Sequence, residues 1–251
     1  MRMTVIGCAG SYPGPESSAS CYLLEAEHGG RTWSVLLDLG NGALGSLQKY
    51  ADATAIDAVF LSHLHADHCL DLCGYYVMRK YHPRGPQPKI PVWGPVDTAR
   101  RMAKAYDLDE NPGMNEEFNF VTYDGPVELG PFTVTPFSVV HPVPAYALRI
   151  EAGDRVLTYS GDTGACDGLE HAAEGAHVFL AEAAFCENEK HVTDVHLTGR
   201  ECGLTAAKAG VDRLVLTHIP AWHDKEVAMQ EARDVWTGPL ELAFKGAVFE
   251  I

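Results

Sequence analysis

Along this 251-residue chain the spacing of apolar and polar positions changes in a repeated order. Short apolar or alternating runs closed by Gly, Pro and polar turn residues predict strands, because strand side chains alternate between two faces. In the first half they fall at residues 3–8, 21–26, 33–38, 58–61 and 91–93. Apolar residues recurring three and four apart predict helices over 44–50, 70–81 and 96–106, with Pro83 ending the second. The second half repeats the plan, with strands at 118–123, 132–140, 145–151, 155–160, 178–181 and 213–217. Its helices are predicted at 168–173, 198–209 and 225–235, and short strands close the chain. Thr198 and Glu201 stand at capping-box spacing, and Gly210 supplies the stop. Two sheets packed face to face, with helices outside, would bury this pattern in one α+β domain over 1–251.

Composition narrows the class. A hydrophobic share of 46% and a charged share of 21% are those of an ordinary globular protein. No run approaches the roughly 18 apolar residues of a membrane span, and residues 1–7 enter a strand without a secretory pattern. The seven cysteines form no paired framework, and Cys69 and Cys73 read as core packing. Reduced thiols and a cytoplasmic location are expected. The 19 basic residues face 34 acidic ones, giving a formal charge of −15. A protein that grips a long polyanion needs a basic patch, and no such patch is read here. A small substrate is expected, with tRNA and membranes disfavoured.

The chemistry concentrates after the apolar run at 58–61. There His63-Leu64-His65-Ala66-Asp67-His68 packs three imidazoles and a carboxylate into six residues. Neutral imidazole nitrogen and carboxylate oxygen suit a borderline cation such as zinc, and also admit manganese or iron. In extended backbone His63 and His65 point the same way, while the turn into the next helix swings Asp67 and His68 toward a second position. His141, Asp162 and His218 each follow another apolar strand, so the same edge of the sheets is expected to gather them.

His63-x-His65-x-Asp67-His68, followed in order by His141, Asp162 and His218, resembles the metal signature of the metallo-β-lactamase superfamily. Asp38, in Leu36-Leu37-Asp38-Leu39-Gly40, matches that family's first aspartate. The resemblance implies a four-layer αββα sandwich holding two divalent ions, with zinc the expected metal. His63, His65 and His141 would bind the first ion. Asp67, His68 and His218 would bind the second, Asp162 would bridge them, and Asp38 would orient a ligand loop. Asp67 is also expected to take part in catalysis. His65 stands where redox members of the superfamily tend to carry Glu, which favours hydrolysis.

Asp194-Val195-His196-Leu197-Thr198 is similar to the His-x-Thr element of the ribonuclease Z-like phosphodiesterases. That likeness implies that His196 protonates the leaving oxygen and that Glu182 orients it. The flexible tRNA-grasping arm of ribonuclease Z has no counterpart between His141 and His196. Gly7-Cys8-Ala9-Gly10-Ser11, Tyr159-Ser160-Gly161-Asp162-Thr163-Gly164 and Leu216-Thr217-His218-Ile219-Pro220 more closely resemble actinobacterial atypical cyclic-nucleotide phosphodiesterases. Hydrolysis of 3′,5′-cyclic AMP or a related cyclic nucleotide by a hydroxide held at two metals is therefore expected, in a homodimer. A ribonuclease acting on RNA ends and a thioester or lactone hydrolase are the alternatives. The Gly10-Ser11 turn is a further candidate for substrate contact.

Overall fold

The computed structural model of the protein describes residues 1–189 and 192–251. The first sheet takes β1 (Arg2–Gly10), β2 (Ser18–Ala19), β3 (Cys21–His28), β4 (Arg31–Leu37), β5 (Ala58–Phe60), β6 (Ile90–Gly94) and β7 (Phe118–Thr122). The second takes β8 (Val127–Leu129), β9 (Phe132–Ser138), β10 (Tyr146–Ala152), β11 (Arg155–Tyr159), β12 (Val178–Glu182) and β13 (Leu214–Thr217). Three late strands complete them. β14 (Ile219–Pro220) and β16 (Val248–Glu250) both join β1, and β15 (Leu240–Leu242) joins β13. The sheets therefore do not divide the chain at its middle, because the last strand crosses back to pair with the first.

Among the described residues seven α-helices flank the sheets: α1 (Ala43–Leu47), α2 (Ala66–Cys69), α3 (Leu72–Lys80), α4 (Thr98–Ala105), α5 (Asp167–Ala173), α6 (Gly199–Ala209) and α7 (Lys225–Arg233). Strand alternation sorts the side chains into layers. Val35 and Leu37 of β4 meet Leu148, Leu157 and Val215 in the cluster between the sheets. Leu36 of β4 faces the opposite way, into a cluster with Leu47, Leu72, Tyr75 and Met102 of the first helices. Leu214 and Leu216 of β13 do the same on the other side, against Leu169, Cys202, Ala206 and Ala228. The result is the expected αββα order.

The predicted helix 70–81 is interrupted. A short helix at Ala66–Cys69 precedes Leu72–Lys80, so Asp67 and His68 sit on a helical turn of their own. The predicted strand 132–140 ends at Ser138, and β8, β2 and β14 were too short to show a period. Helix α6 begins with the full capping box, and Gly210 ends it in the left-handed conformation. All seven cysteines are free. Among the described residues no helix is long and apolar enough to cross a membrane.

One glycine fixes how α2 meets the first sheet. A Cβ on Gly40 would lie 1.9 Å from the Asp67 carbonyl oxygen, a distance no van der Waals contact allows. Gly40→Ala is expected to push α2 from its seat at a cost of about 1–3 kcal/mol. For a chain of this size that lowers the melting temperature by roughly 2–4 °C per kcal/mol. An unchanged thermal melt would show that α2 is not so constrained.

Candidate metal centre

Strand ends at one edge of the sandwich deliver the polar residues. Asp38 follows β4, the His63–His68 segment follows β5, Asp162 follows β11, Glu182 ends β12 and His218 lies between β13 and β14. His141 comes from the loop after β9, and His196 from the segment before α6. Most are buried: His63, His68, Asp38 and Glu182 are completely covered, and Asp162 and His218 nearly so.

The ligand atoms suggested by the sequence fall into two groups. In the first, His65 Nδ1 lies 3.1 Å from both His63 Nε2 and His141 Nε2, with Asp162 Oδ2 at 3.6 Å from His63 Nε2. In the second, His68 Nε2 is 3.2 Å from Asp162 Oδ1 and 3.5 Å from Asp67 Oδ2. His218 Nε2 is 3.4 Å from Asp162 Oδ2 and 3.7 Å from Asp67 Oδ2. Asp162 thus belongs to both groups. All seven residues that the sequence suggested as ligands are brought together here.

The donor set fits cations. Bonds of 2.0–2.1 Å from a tetrahedral zinc ion would space its nitrogens about 3.3–3.4 Å apart, close to the spacing of the three rings. His68 Nε2 and Asp162 Oδ1 are buried with no hydrogen-bond partner. They face each other at 3.2 Å without hydrogen-bond alignment, an arrangement that a shared cation would satisfy.

The far sides of the rings are anchored, which settles which nitrogen faces inward. His68 Nδ1 donates to Asp38 Oδ2 at 2.7 Å. Ser62 donates its hydroxyl to the same oxygen at 2.8 Å and so accepts from His63 Nδ1 at 3.1 Å. The Tyr159 hydroxyl also donates to Asp38 Oδ2, at 2.7 Å, and the Ser62 N–H donates to Oδ1 at 2.7 Å. His141 Nδ1 donates to the Val195 carbonyl at 2.9 Å, and Ser20 holds His218 Nδ1 at 2.9 Å. Asp38 is the hub, held in left-handed backbone at φ 58. Ser20, Ser62 and Tyr159 escaped the sequence reading. Only Ser62 carried a signal, being the residue next to His63.

Electrostatics favour the ligand forms of most rings. Burial, reinforced by the neighbouring His68, holds His63 well below the usual histidine range. His65, His141 and His218 are lowered, chiefly by burial, which favours the neutral imidazole that binds metal. Burial also works against a charge on His68, yet Asp162 and Asp38 outweigh it and raise that ring well above its usual range. Burial opposes ionisation of Asp162, but His218, His68 and His63 keep its carboxyl well below normal.

His196 stands beside this centre in a different setting. Its Nδ1 donates to Glu182 Oε1 at 2.9 Å, and its ring lies 5.8 Å from that of His218 and 5.6 Å from that of His141. Burial would lower its pKa, but Glu182 and Asp162 raise it to about 9. Glu182 also accepts from the N–H groups of Thr163, Leu197 and Ala184 at 3.1, 3.3 and 3.0 Å. A carboxylate so occupied on both oxygens is a cradle for His196. The Gly10-Ser11 turn lies against the centre as well, with the Ser11 N–H 3.4 Å from His218 Nε2.

Asp38→Asn would set an NH₂ group against donors now sharing one carboxylate. Metal affinity is expected to fall about 10–100-fold, read by competition with a chelator. Unchanged affinity would show that Asp38 does not steer His68.

Known proteins are similar to this chain. Residues 34–219 match the family described as a beta-lactamase superfamily domain. Over its whole length the chain is 43% identical to an uncharacterized protein of Mycobacterium tuberculosis, covering 92% of it. It is 29% identical over its whole length to all of the probable metallo-hydrolase YhfI of Bacillus subtilis. The crystal structure of YhfI matches with a TM-score of 0.87 at 28% identity, covering 100% of this chain and 99% of that one. Ribonuclease Z of Myxococcus xanthus is 26% identical over 306 aligned positions, covering 100% of this chain and 98% of the relative. The chain belongs to the β-lactamase superfamily and is a metal-dependent hydrolase.

Proposed function

We propose that the protein is a phosphodiesterase that hydrolyses a small phosphodiester, a 3′,5′-cyclic nucleotide such as cyclic AMP, with two divalent ions, zinc foremost. His63, His65 and His141 would hold one ion and Asp67, His68 and His218 the other, with Asp162 shared between the two groups. Bound there, the ions supply Lewis acidity to a phosphate oxygen and lower the pKa of water toward neutrality.

The placement of His196 carries this reading. An alkoxide leaving group, such as a ribose oxygen, needs a proton as its bond to phosphorus breaks. With Nδ1 committed to Glu182, the proton to be given sits on Nε2. Glu182 in turn is held in place by three backbone donors. Asp67, on its own short helix, orients the attacking water besides binding metal.

What the chain lacks supports a small substrate. The alignment with ribonuclease Z is longer than the 251 residues present here, so that relative carries stretches absent from this chain. A formal charge of −15 also repels a long polyanion. A panel of cyclic AMP, a precursor tRNA and a thioester, each given to metal-loaded protein, tests the reading. Cyclic AMP is expected to be hydrolysed fastest. Preferential cleavage of the tRNA or the thioester would overturn it.

A further inference from the structure

A cavity of about 450 Å³ adjoins the metal centre on the His65 side, and its walls differ in chemistry. Leu64, Val96, Val143 and Pro144 make one wall apolar. The other belongs to α4, which presents Arg100, Arg101 and Lys104. Arg100 and Arg101 stand four and three positions before Lys104, so each neighbours it on the helix surface. In a chain with 19 basic and 34 acidic residues, three cations at the mouth of one cavity run against the overall sign. No patch is legible in the sequence, since an Arg-Arg pair on an amphipathic helix reads as a solvated face.

Not all three cations are available. Arg100 is tied to Asp97, with Nη2 at 2.7 Å and Nε at 3.3 Å from its oxygens. Arg101 and Lys104 are exposed and make no ion pair among the described residues. A free guanidinium and a free ammonium one turn apart match a phosphate, which accepts hydrogen bonds on several oxygens. The apolar wall suits the sugar and base between two phosphates.

The opposite flank of the centre has another character. Tyr12 and Trp222 pack there with ring centroids 5.2 Å apart and planes tilted by 34°, and Trp222 lines a cavity of about 300 Å³ with His196 and Ser11. In an in-line displacement the departing half of the substrate lies beside the proton donor, here His196. The retained half then extends toward His65 and the α4 cavity.

We infer that the α4 cavity is a subsite for a second phosphate of the substrate, held by Arg101 and Lys104. This rests on the phosphodiesterase reading and narrows it to phosphodiesters that carry a further phosphate one nucleotide away. Cyclic AMP fills the metal centre alone, whereas a linear dinucleotide with a 5′-phosphate fills both.

The test compares wild type with R101Q/K104Q, two exposed positions outside the metal and proton-transfer residues, on cyclic AMP and on the 5′-phosphorylated diadenosine dinucleotide. Wild type is expected to show a KM about tenfold lower for the dinucleotide. The double variant should raise that KM about tenfold, with kcat unchanged and the cyclic AMP constants within about threefold. Equal constants for the two substrates, or equal shifts in the variant, would overturn the subsite. Calorimetric binding of inorganic pyrophosphate to metal-stripped protein keeps the two ideas separate. If wild type cleaves neither substrate, the phosphodiesterase reading fails. The subsite then stands if wild type binds pyrophosphate and the variant does not, and falls if they bind it alike.

Discussion

Asp162→Ala is expected to reduce hydrolysis by at least about 10³-fold and to lower bound metal together with it. Asp162 is the one carboxylate common to both ligand groups, with Oδ1 toward His68 and Oδ2 toward His63 and His218. Removing it leaves the inward-facing nitrogens and Asp67 without the carboxylate that the two groups share. Metal-borne charge stabilisation is worth several kcal/mol in the transition state, and about 4 kcal/mol is a thousandfold in rate. Asp162→Asn should lose nearly as much, because an amide keeps the shape and drops the charge. Metal analysis and steady-state kinetics on the same preparations check both. Normal metal content with normal turnover would remove Asp162 from the centre.

His196→Ala should fail in another way. General acid catalysis contributes about 10²–10⁴-fold, so kcat on cyclic AMP is expected to fall by that factor while metal content stays at the wild-type level. A substrate whose leaving group needs no proton separates roles. On bis(p-nitrophenyl) phosphate the variant should lose far less, since nitrophenolate departs unaided. Equal losses on both substrates would make His196 structural. Loss of metal would place it among the ligands, beside Asp162, from which its Nδ1 is 3.9 Å away.

The legible part of this centre was the part with short-range spacing. His63 to His68 announce themselves because ligands on one strand end must follow one another closely. His141, Asp162 and His218 were visible as polar residues ending apolar strands. The hydrogen bonds that orient them were not, because they join distant segments. Tyr159 reaches Asp38 across 121 positions, and Ser20 reaches His218 across 198. The pairing of β16 with β1 is of the same kind. Local period reveals a strand but not its neighbour.

The α4 cations show a second limit. Arg101 and Lys104 have ordinary helical spacing, and what distinguishes them is the cavity they face, created by the loops carrying His65 and Val143. A helix face acquires meaning only from what it is packed beside. The same holds for Glu182, whose position at a strand end also admits a plain surface carboxylate until its four hydrogen-bond donors come together.

The most direct measurement is a zinc titration of chelator-stripped protein while cyclic AMP hydrolysis is followed. The account predicts negligible turnover without metal and activity that saturates at two ions per chain. Full activity in stripped protein, or no hydrolysis with two ions bound, would contradict it.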